Sequence, residues 1–303
     1  MGIAHQFRKA SRVYAAMTKN SLFTGRVAVI ATMHKKEEAI APILESELGV
    51  QCIVPNNFNT DIFGTFTRDI ARPADQIATA RLKAKKALEI TGETIAIASE
   101  GSFAPHPDLP FVASNREIVF FIDTLNELEI IGQEISTETN FNSQSVRTVE
   151  EANRFADEIG FPAHGLVVML DAKSSNSDEI FKGITTEAKL REIVTFALSK
   201  SLTGKVHIET DVRALYNPIR MQNIAKATKN LIKKISQICP NCACPGFDAI
   251  AQRRGLPCGL CNLPTSAIRS IVYQCQKCSF QQEKLFPHGV TTADPAQCMY
   301  CNP

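Results

Sequence analysis

The chain has 303 residues, 44% of them apolar and 21% charged, which suits a soluble globular protein of two or three domains. With 33 Lys/Arg against 31 Asp/Glu the formal charge is only +2, so nothing draws the whole molecule toward nucleic acid or an anionic membrane. No apolar run approaches the roughly 20 residues that span a bilayer. Residues 1–20 lack the continuous apolar stretch of a secretory signal, so a cytoplasmic protein without membrane contact is expected.

Residues 1–25 read as an N-terminal extension. "RVAVIATM" predicts a buried strand, and the polar "HKKEE" opens a helix with Ile40, Leu44 and Leu48 on one face and Gly49 at its stop. Pro42 is expected to kink that helix. "QCIV" predicts a second strand, in which Cys52 is a small core residue. The irregular stretch "PNNFNTDIFGTFTRDIARP" then predicts a long loop presenting Asp61, Thr65 and Thr67.

A helix over 74–91, with Ile77, Ala80, Ala84 and Leu88 on one face, leads to a strand over 94–99. "SEGSFAPHP" predicts a loop beyond that strand's carboxyl end, where open α/β sheets bind ligands. Glu100 there is a candidate base or metal ligand, and His106 a candidate proton carrier. Gly101 permits a tight turn that lets an anion meet bare backbone N–H groups beside Ser102. "REIVFFIDT" and "ELEIIGQEIS" predict an antiparallel hairpin, which completes an α/β domain over 26–140 with a mixed sheet.

A second α/β unit is expected over 148–235. Thr148 and Glu151 make a capping box for its first helix. Two strands, a helix over about 187–200 and the strand "KVHIETDV" follow. Glu209, Asp211 and Arg213 alternate with His207 on one predicted strand face. Asn217 caps a long helix whose first turn carries Arg220, placed to join Arg213 in gripping an anion. Lys226, Lys229, Lys233 and Lys234 read as a solvated helix face. The expectation is one cleft lined by Glu100, His106, Asp61 and Asp211 as catalytic groups. Ser102, Thr65, Thr67, Glu209, Arg213, Asn217 and Arg220 would bind substrate there. So many acidic groups call for Mg2+ or Mn2+ in that cleft.

Nine of the ten cysteines fall between Cys239 and Cys301, and eight form Cys-x-x-Cys pairs. The pairs Cys239/Cys242 and Cys258/Cys261 are fifteen residues apart, and Cys275/Cys278 and Cys298/Cys301 nineteen. Both intervals fit two-knuckle zinc ribbons, so sequential pairing gives two structural zinc sites of four cysteines each over 236–303, with an interleaved pairing open as well. Cys244 has no partner in this count. Residues 236–303 hold five Lys/Arg and three Asp/Glu, and two zinc tetrathiolates turn that balance negative. Nucleic acid is therefore an unfavoured partner.

The segments "ATMHKKEEAIAPILESELG", "NTDIFGTFTRDIARP", "ASEGSFAPHP", "TETNF", "GFPAHGLVV", "HIETDVRALYNPIRM" and the ribbon from "CPNC" through "GLPCGLC" to "ADPAQCMYCNP" carry a resemblance. The chain resembles a family of bacterial proteins, many cyanobacterial, grouped as a domain of unknown function. That resemblance implies the double zinc ribbon and brings no established activity. Members usually carry Asp where this chain has Asn59, and Gly where it has Asn262, a residue that also tolerates a left-handed backbone. The first domain alone looks like house-cleaning nucleoside-triphosphate pyrophosphatases. His34 replaces an asparagine of their phosphate loop, and Gln76 or Ala78 stands where their metal-binding glutamate would be, so this likeness implies fold alone.

The expected function is that of a metal-dependent enzyme, a hydrolase or other phosphoryl-handling catalyst, acting on a phosphate- or carboxylate-bearing small molecule or nucleotide. The alternative is a non-catalytic nucleotide- or protein-binding adaptor that docks a protein partner through the ribbon.

Overall fold

The structure, a computed structural model, describes residues 22–56, 58–64, 74–174 and 176–302. Thr65 and Thr67 lie outside these, and the Asp61 side chain is likewise outside the described atoms. The chain divides into two compact units: one runs to Thr124 and resumes over Ile131–Ile232, the other joins Leu125–Ile130 to the residues from Lys233 onward. Among the described residues no helix is long and apolar enough to cross a membrane.

In the first unit β1 (Val27–Ala31), α1 (Glu37–Leu48), β2 (Gln51–Ile53), α2 (Gln76–Thr91) and β3 (Ile95–Pro105) follow one another. β1 lies between β2 and β3 and is parallel to both. The two crossovers leave in opposite senses, so the right-handed rule puts α1 and α2 on opposite faces of the sheet. Pro42 sits inside α1 without ending it. Burial of Ile40, Leu44 and Leu48 offsets the hydrogen bond that proline forfeits.

Residues 100–105 correct the sequence reading. They are not a loop: β3 continues to Pro105 and pairs antiparallel with β4 (Ala113–Asp123) along its whole length, from Ile95↔Asp123 to Pro105↔Ala113. Ser, Glu and Gly have low strand propensity, and the long ladder to β4 overrides it. β5 (Leu128–Ser136) completes a mixed sheet of order β2-β1-β3-β4-β5. Ala80, Ala84 and Ala87 of α2 pack on Ala96, Ala98, Ile118 and Phe120 of one sheet face.

A second sheet of order β6-β9-β7-β8 is antiparallel throughout, built from β6 (Ser143–Val146), β7 (Leu166–Met169), β8 (Ile180–Ile184) and β9 (Val206–Thr210). α3 (Val149–Ile159) and α4 (Glu187–Lys200) cover it through Phe155, Ile159, Leu190 and Val194. Thr148 caps α3 by accepting the Glu151 N–H, and Glu151 accepts from Arg147 N, one residue ahead of the expected box. β9 ends at Thr210, so Asp211 and Arg213 lie past the strand and the expected run of alternating polar residues stops short.

α5 (Pro218–Ile235) then returns to the first sheet, on the face away from α2. Gly132 of β5 admits it, because a Cβ there would overlap the Ala227 carbonyl and stand 2.5 Å from the Leu231 nitrogen. In the second unit β10 (Asp248–Arg254), β11 (Ile268–Gln274) and β12 (Gln281–Leu285) form a three-stranded antiparallel sheet.

Candidate functional site

β1 stops opposite Ala98, while β3 runs on past it. The carboxyl end of β1 is therefore the topological switch point of the parallel part of the sheet. Polar side chains gather there. Lys36, the N-cap residue of α1, donates from Nζ to the Ser99 carbonyl at 2.9 Å. Glu100, 4% exposed, faces α2, where Lys83 Nζ meets its carboxylate at 2.5 Å and Gln76 Nε2 donates to its carbonyl at 2.7 Å. The Ser99 hydroxyl is buried without a hydrogen-bond partner among the described residues.

The opposite sheet face supplies a second buried pair. Gly101 stands opposite Glu117 in the ladder, so Glu117 projects on the side of α5. Arg220 Nε donates to its Oε1 at 2.7 Å, and Arg220 Nη1 donates to the Val212 carbonyl at 2.6 Å. A side chain at Gly101 would overlap both the Glu117 carboxylate and the Arg220 guanidinium. That is why glycine is needed there: for close approach rather than for a turn. Asn115 donates to Glu117 Oε1 and accepts from Asn223 of α5, which closes the network.

Lys36 feels the charges of both buried pairs, Lys83–Glu100 on one face of the sheet and Arg220–Glu117 on the other. Lys83 and Arg220 each have a carboxylate, whereas Lys36 has a carbonyl. Burial, then the Arg220 charge, push the Lys36 ammonium down to about 7, with Glu100 pulling the other way. A cavity of ≈ 620 Å³ lies beside the β1–α1 loop, with Thr32, Met33, Lys35 and Glu37 on one side and Val54, Pro55 and Phe58 on the other; Lys36, Lys83 and Arg220 are not in its lining. Such a volume suits a small molecule.

The other sequence candidates fall elsewhere. Asp211 turns inward and accepts from Gly183 N at 3.0 Å, Arg213 N at 3.0 Å and Arg213 Nη2 at 2.6 Å, while Arg213 also lies over the Tyr216 ring. These bonds tie β8 to the segment after β9. Arg213 does not join Arg220 on an anion: Arg213 pairs with Asp211 and Arg220 with Glu117. Glu209 lies 3.5 Å from His207 on β9. Asn217 caps α5 by accepting the Arg220 N–H at 3.0 Å. Ser102 is hydrogen-bonded to Gln76, and His106 sits in the β3–β4 turn, where its Nδ1 accepts the Asp108 N–H. Asp61 falls in a short 3-10 turn over Thr60–Phe63. Of the expected catalytic and substrate residues, Glu100 and Arg220 enter the buried cluster.

Three members of the cluster were missed in sequence, each for a definable reason. Lys83 sits three residues after Ala80 and four before Ala87, a buried stripe in which lysine is normally read as solvent-facing. Glu117 is in phase with Val119 and Phe121 along an otherwise apolar strand. Lys36 belongs to "HKKEE", whose uniform polarity hides the one side chain that turns inward.

In the second unit the eight paired cysteines form two groups, Cys239, Cys242, Cys275 and Cys278, and Cys258, Cys261, Cys298 and Cys301. The pairing is interleaved, not sequential: the first Cys-x-x-Cys joins the third and the second joins the fourth. Sulfur separations of 3.7 Å for Cys239–Cys278, 3.6 Å for Cys242–Cys275, 3.8 Å for Cys258–Cys301 and 3.7 Å for Cys261–Cys298 exclude disulfides. Four sulfurs placed tetrahedrally about 2.3 Å from a zinc ion would stand about 3.8 Å apart. Both groups therefore fit a structural metal ion, and the distances are consistent with two zinc ions. Within each group the thiols differ: the Asn241 and Phe280 N–H groups bring Cys278 down to about 6 and those of Cys261 and Leu260 bring Cys258 to about 7, whereas burial and the neighbouring thiols push Cys242 and Cys301 up to about 12.

One turn recurs at three of the four pairs. The first cysteine donates its N–H to the carbonyl five residues on, and its own carbonyl accepts from the residue four on, as in Cys239, Cys258 and Cys275. The residue at that fourth position is left-handed each time: Ala243 at φ 59, Asn262 at φ 60 and Ser279 at φ 57. Asn262 so does what its sequence position suggested.

A family described as a domain of unknown function, DUF6671, matches residues 83–303, and the chain belongs to it. No curated protein matches the chain.

Proposed function

We propose that the first unit binds a small anionic molecule, phosphate- or carboxylate-bearing, at the carboxyl end of β1, with Lys36 as its cationic contact and Lys83 and Arg220 adding positive potential from the two faces of the sheet. The observation that supports this is the imbalance, among the described residues there, of three buried cations against two buried carboxylates. A buried ammonium with only a carbonyl for partner costs free energy that an anion would offset. Glu100 and Glu117 position Lys83 and Arg220. Because those carboxylates are already engaged, Mg2+ or Mn2+ in this reading arrives on the ligand's phosphates. In the second unit two zinc ions replace a hydrophobic core that so small a module cannot supply.

Equilibrium dialysis of the full chain against inorganic phosphate and pyrophosphate tests the anion site. Saturable binding that tightens as the pH falls through about 7, as Lys36 gains its proton, is the expected result. Lys36→Met should lose about tenfold or more in affinity, as befits a charged hydrogen bond worth about 1.5–3 kcal/mol. Binding indifferent to both pH and Lys36 would contradict the proposal.

A further inference from the structure

The sheet of the second unit carries a cavity that the two metal groups do not use. Phe247 reaches it because the turn around Cys239–Cys244 doubles the chain back. Ile238 bridges Pro245, and the Phe247 N–H donates to the Gln237 carbonyl at 2.9 Å. The Phe247 ring then stacks on Tyr273 of β11, with centroids 5.8 Å apart and planes inclined by 27°. In the β11–β12 ladder Tyr273 stands opposite Gln282, and Ile271 opposite Lys284. Gln282 and Lys284 therefore share the sheet face of Tyr273. Glu283, which also borders the cavity, belongs to the opposite face, where its carboxylate accepts from Ser270 and Arg253. The space between these rings, Ile238 and the two β12 side chains is ≈ 440 Å³.

Two polar groups at this cavity lack partners among the described residues. Gln237 Oε1 is buried and accepts no hydrogen bond. Lys284, exposed at the rim, makes no ion pair. A buried acceptor left unmet costs free energy that a ligand N–H would recover. An aromatic wall with a few fixed polar groups is how a protein orients a small ligand.

We propose that this cavity binds a small planar heterocycle that carries both a ring N–H and an anionic group. The ring extends the Phe247–Tyr273 stack, where offset aromatic contact is favourable. Its N–H donates to Gln237 Oε1, its carboxylate or phosphate meets Lys284, and Ile238 supplies the apolar side. Indole carboxylates and purine nucleotides share this chemistry. The site is independent of the anion site proposed for the first unit, and either can stand without the other.

The chain contains no tryptophan, so an indole ligand can be followed by its own fluorescence. The test titrates indole-3-acetate with the zinc-loaded full chain and records fluorescence anisotropy. Saturable binding is expected, weakened about two- to tenfold by Gln237→Leu, which removes one hydrogen bond. Lys284→Gln should weaken it by a similar factor and reduce its sensitivity to salt. The N-methylated analogue, which has no ring N–H, should bind more weakly and be indifferent to Gln237→Leu. Neither substitution touches a cysteine, so an unchanged zinc content serves as the control for folding. Guanosine monophosphate as competitor separates the two sources: displacement of the indole assigns the site to nucleotides as well, and no displacement restricts it to indole carboxylates. Failure of both ligands to bind, or binding that neither the substitutions nor N-methylation weakens, would overturn the proposal.

Discussion

Lys36 concentrates the physical tension of the first unit. Its ammonium is held in a region where water is replaced by Arg220 and Lys83. The sign of the consequence follows from linkage. The folded group titrates near 7 and the unfolded one near 10.5, so between these values the unfolded chain binds more protons. Stability of this unit therefore rises with pH across that window, and the full penalty applies below it. Lys36→Met keeps the volume, removes the buried charge and gives up one hydrogen bond. It should stabilise the unit by about 1–3 kcal/mol, raising Tm by roughly 2–10 °C, and flatten the pH slope while weakening anion binding by about tenfold or more. A drop in both stability and binding would instead mark Lys36 as a packing residue. Calorimetry at pH 6.5 and pH 9 makes the distinction.

At the scale of elements, what the sequence discloses depends on whether the cause is local. The helix ending at Gly92, the caps at Thr148 and Asn217 and the β4–β5 hairpin were all legible, because propensity, capping and periodicity act within a few residues. The extension of β3 to Pro105 was not. Its ladder partners at Ala113 to Ile118 lie across a turn, and between Ser99 and Pro105 Phe103 alone favours a strand. The same limit applied to the site. Glu100 and Arg220 were identified as singular polar residues, but Lys83 lies a helix away from Glu100, and Glu117 lies 103 residues from Arg220. The cysteine spacing disclosed the two metal groups yet allowed either pairing, since sequence intervals do not say which knuckles face each other. The knuckles carry a prediction of their own. A non-glycine residue in the left-handed region costs roughly 1–2 kcal/mol, so Ala243→Gly, at φ 59, should stabilise the second unit by about 1 kcal/mol. Ser279→Gly should act in the same direction, and Asn262→Gly least of all, because asparagine tolerates that conformation. Thermal melts of the zinc-loaded protein followed by a probe in the second unit measure all three.

For the whole molecule, the two units rest on different physics. The first buries the aliphatic and aromatic side chains of two sheets and their helices. In the second the strands β10 and β12 are exposed almost throughout, and the cysteines supply much of what is buried. Metal binding is then folding free energy for that unit. Elemental analysis should find two zinc ions per chain. A strong chelator should melt the second unit while the first keeps its cooperative transition, and Cys239→Ser should lose one zinc. Concerted loss of both transitions on chelation would show that the first unit needs the metals too.

The central claim, that the first unit binds an anion through Lys36 at the carboxyl end of β1, is tested most directly by titrating Lys36 itself. The 13Cε resonance of Lys36, assigned by its loss in Lys36→Arg, should titrate near 7 in the free protein, where burial and Arg220 set it. Saturating inorganic phosphate should move that midpoint upward by a unit or more, since the anion supplies the missing counter-charge. A midpoint near the ordinary lysine value of about 10.4, unchanged by phosphate, would contradict the account.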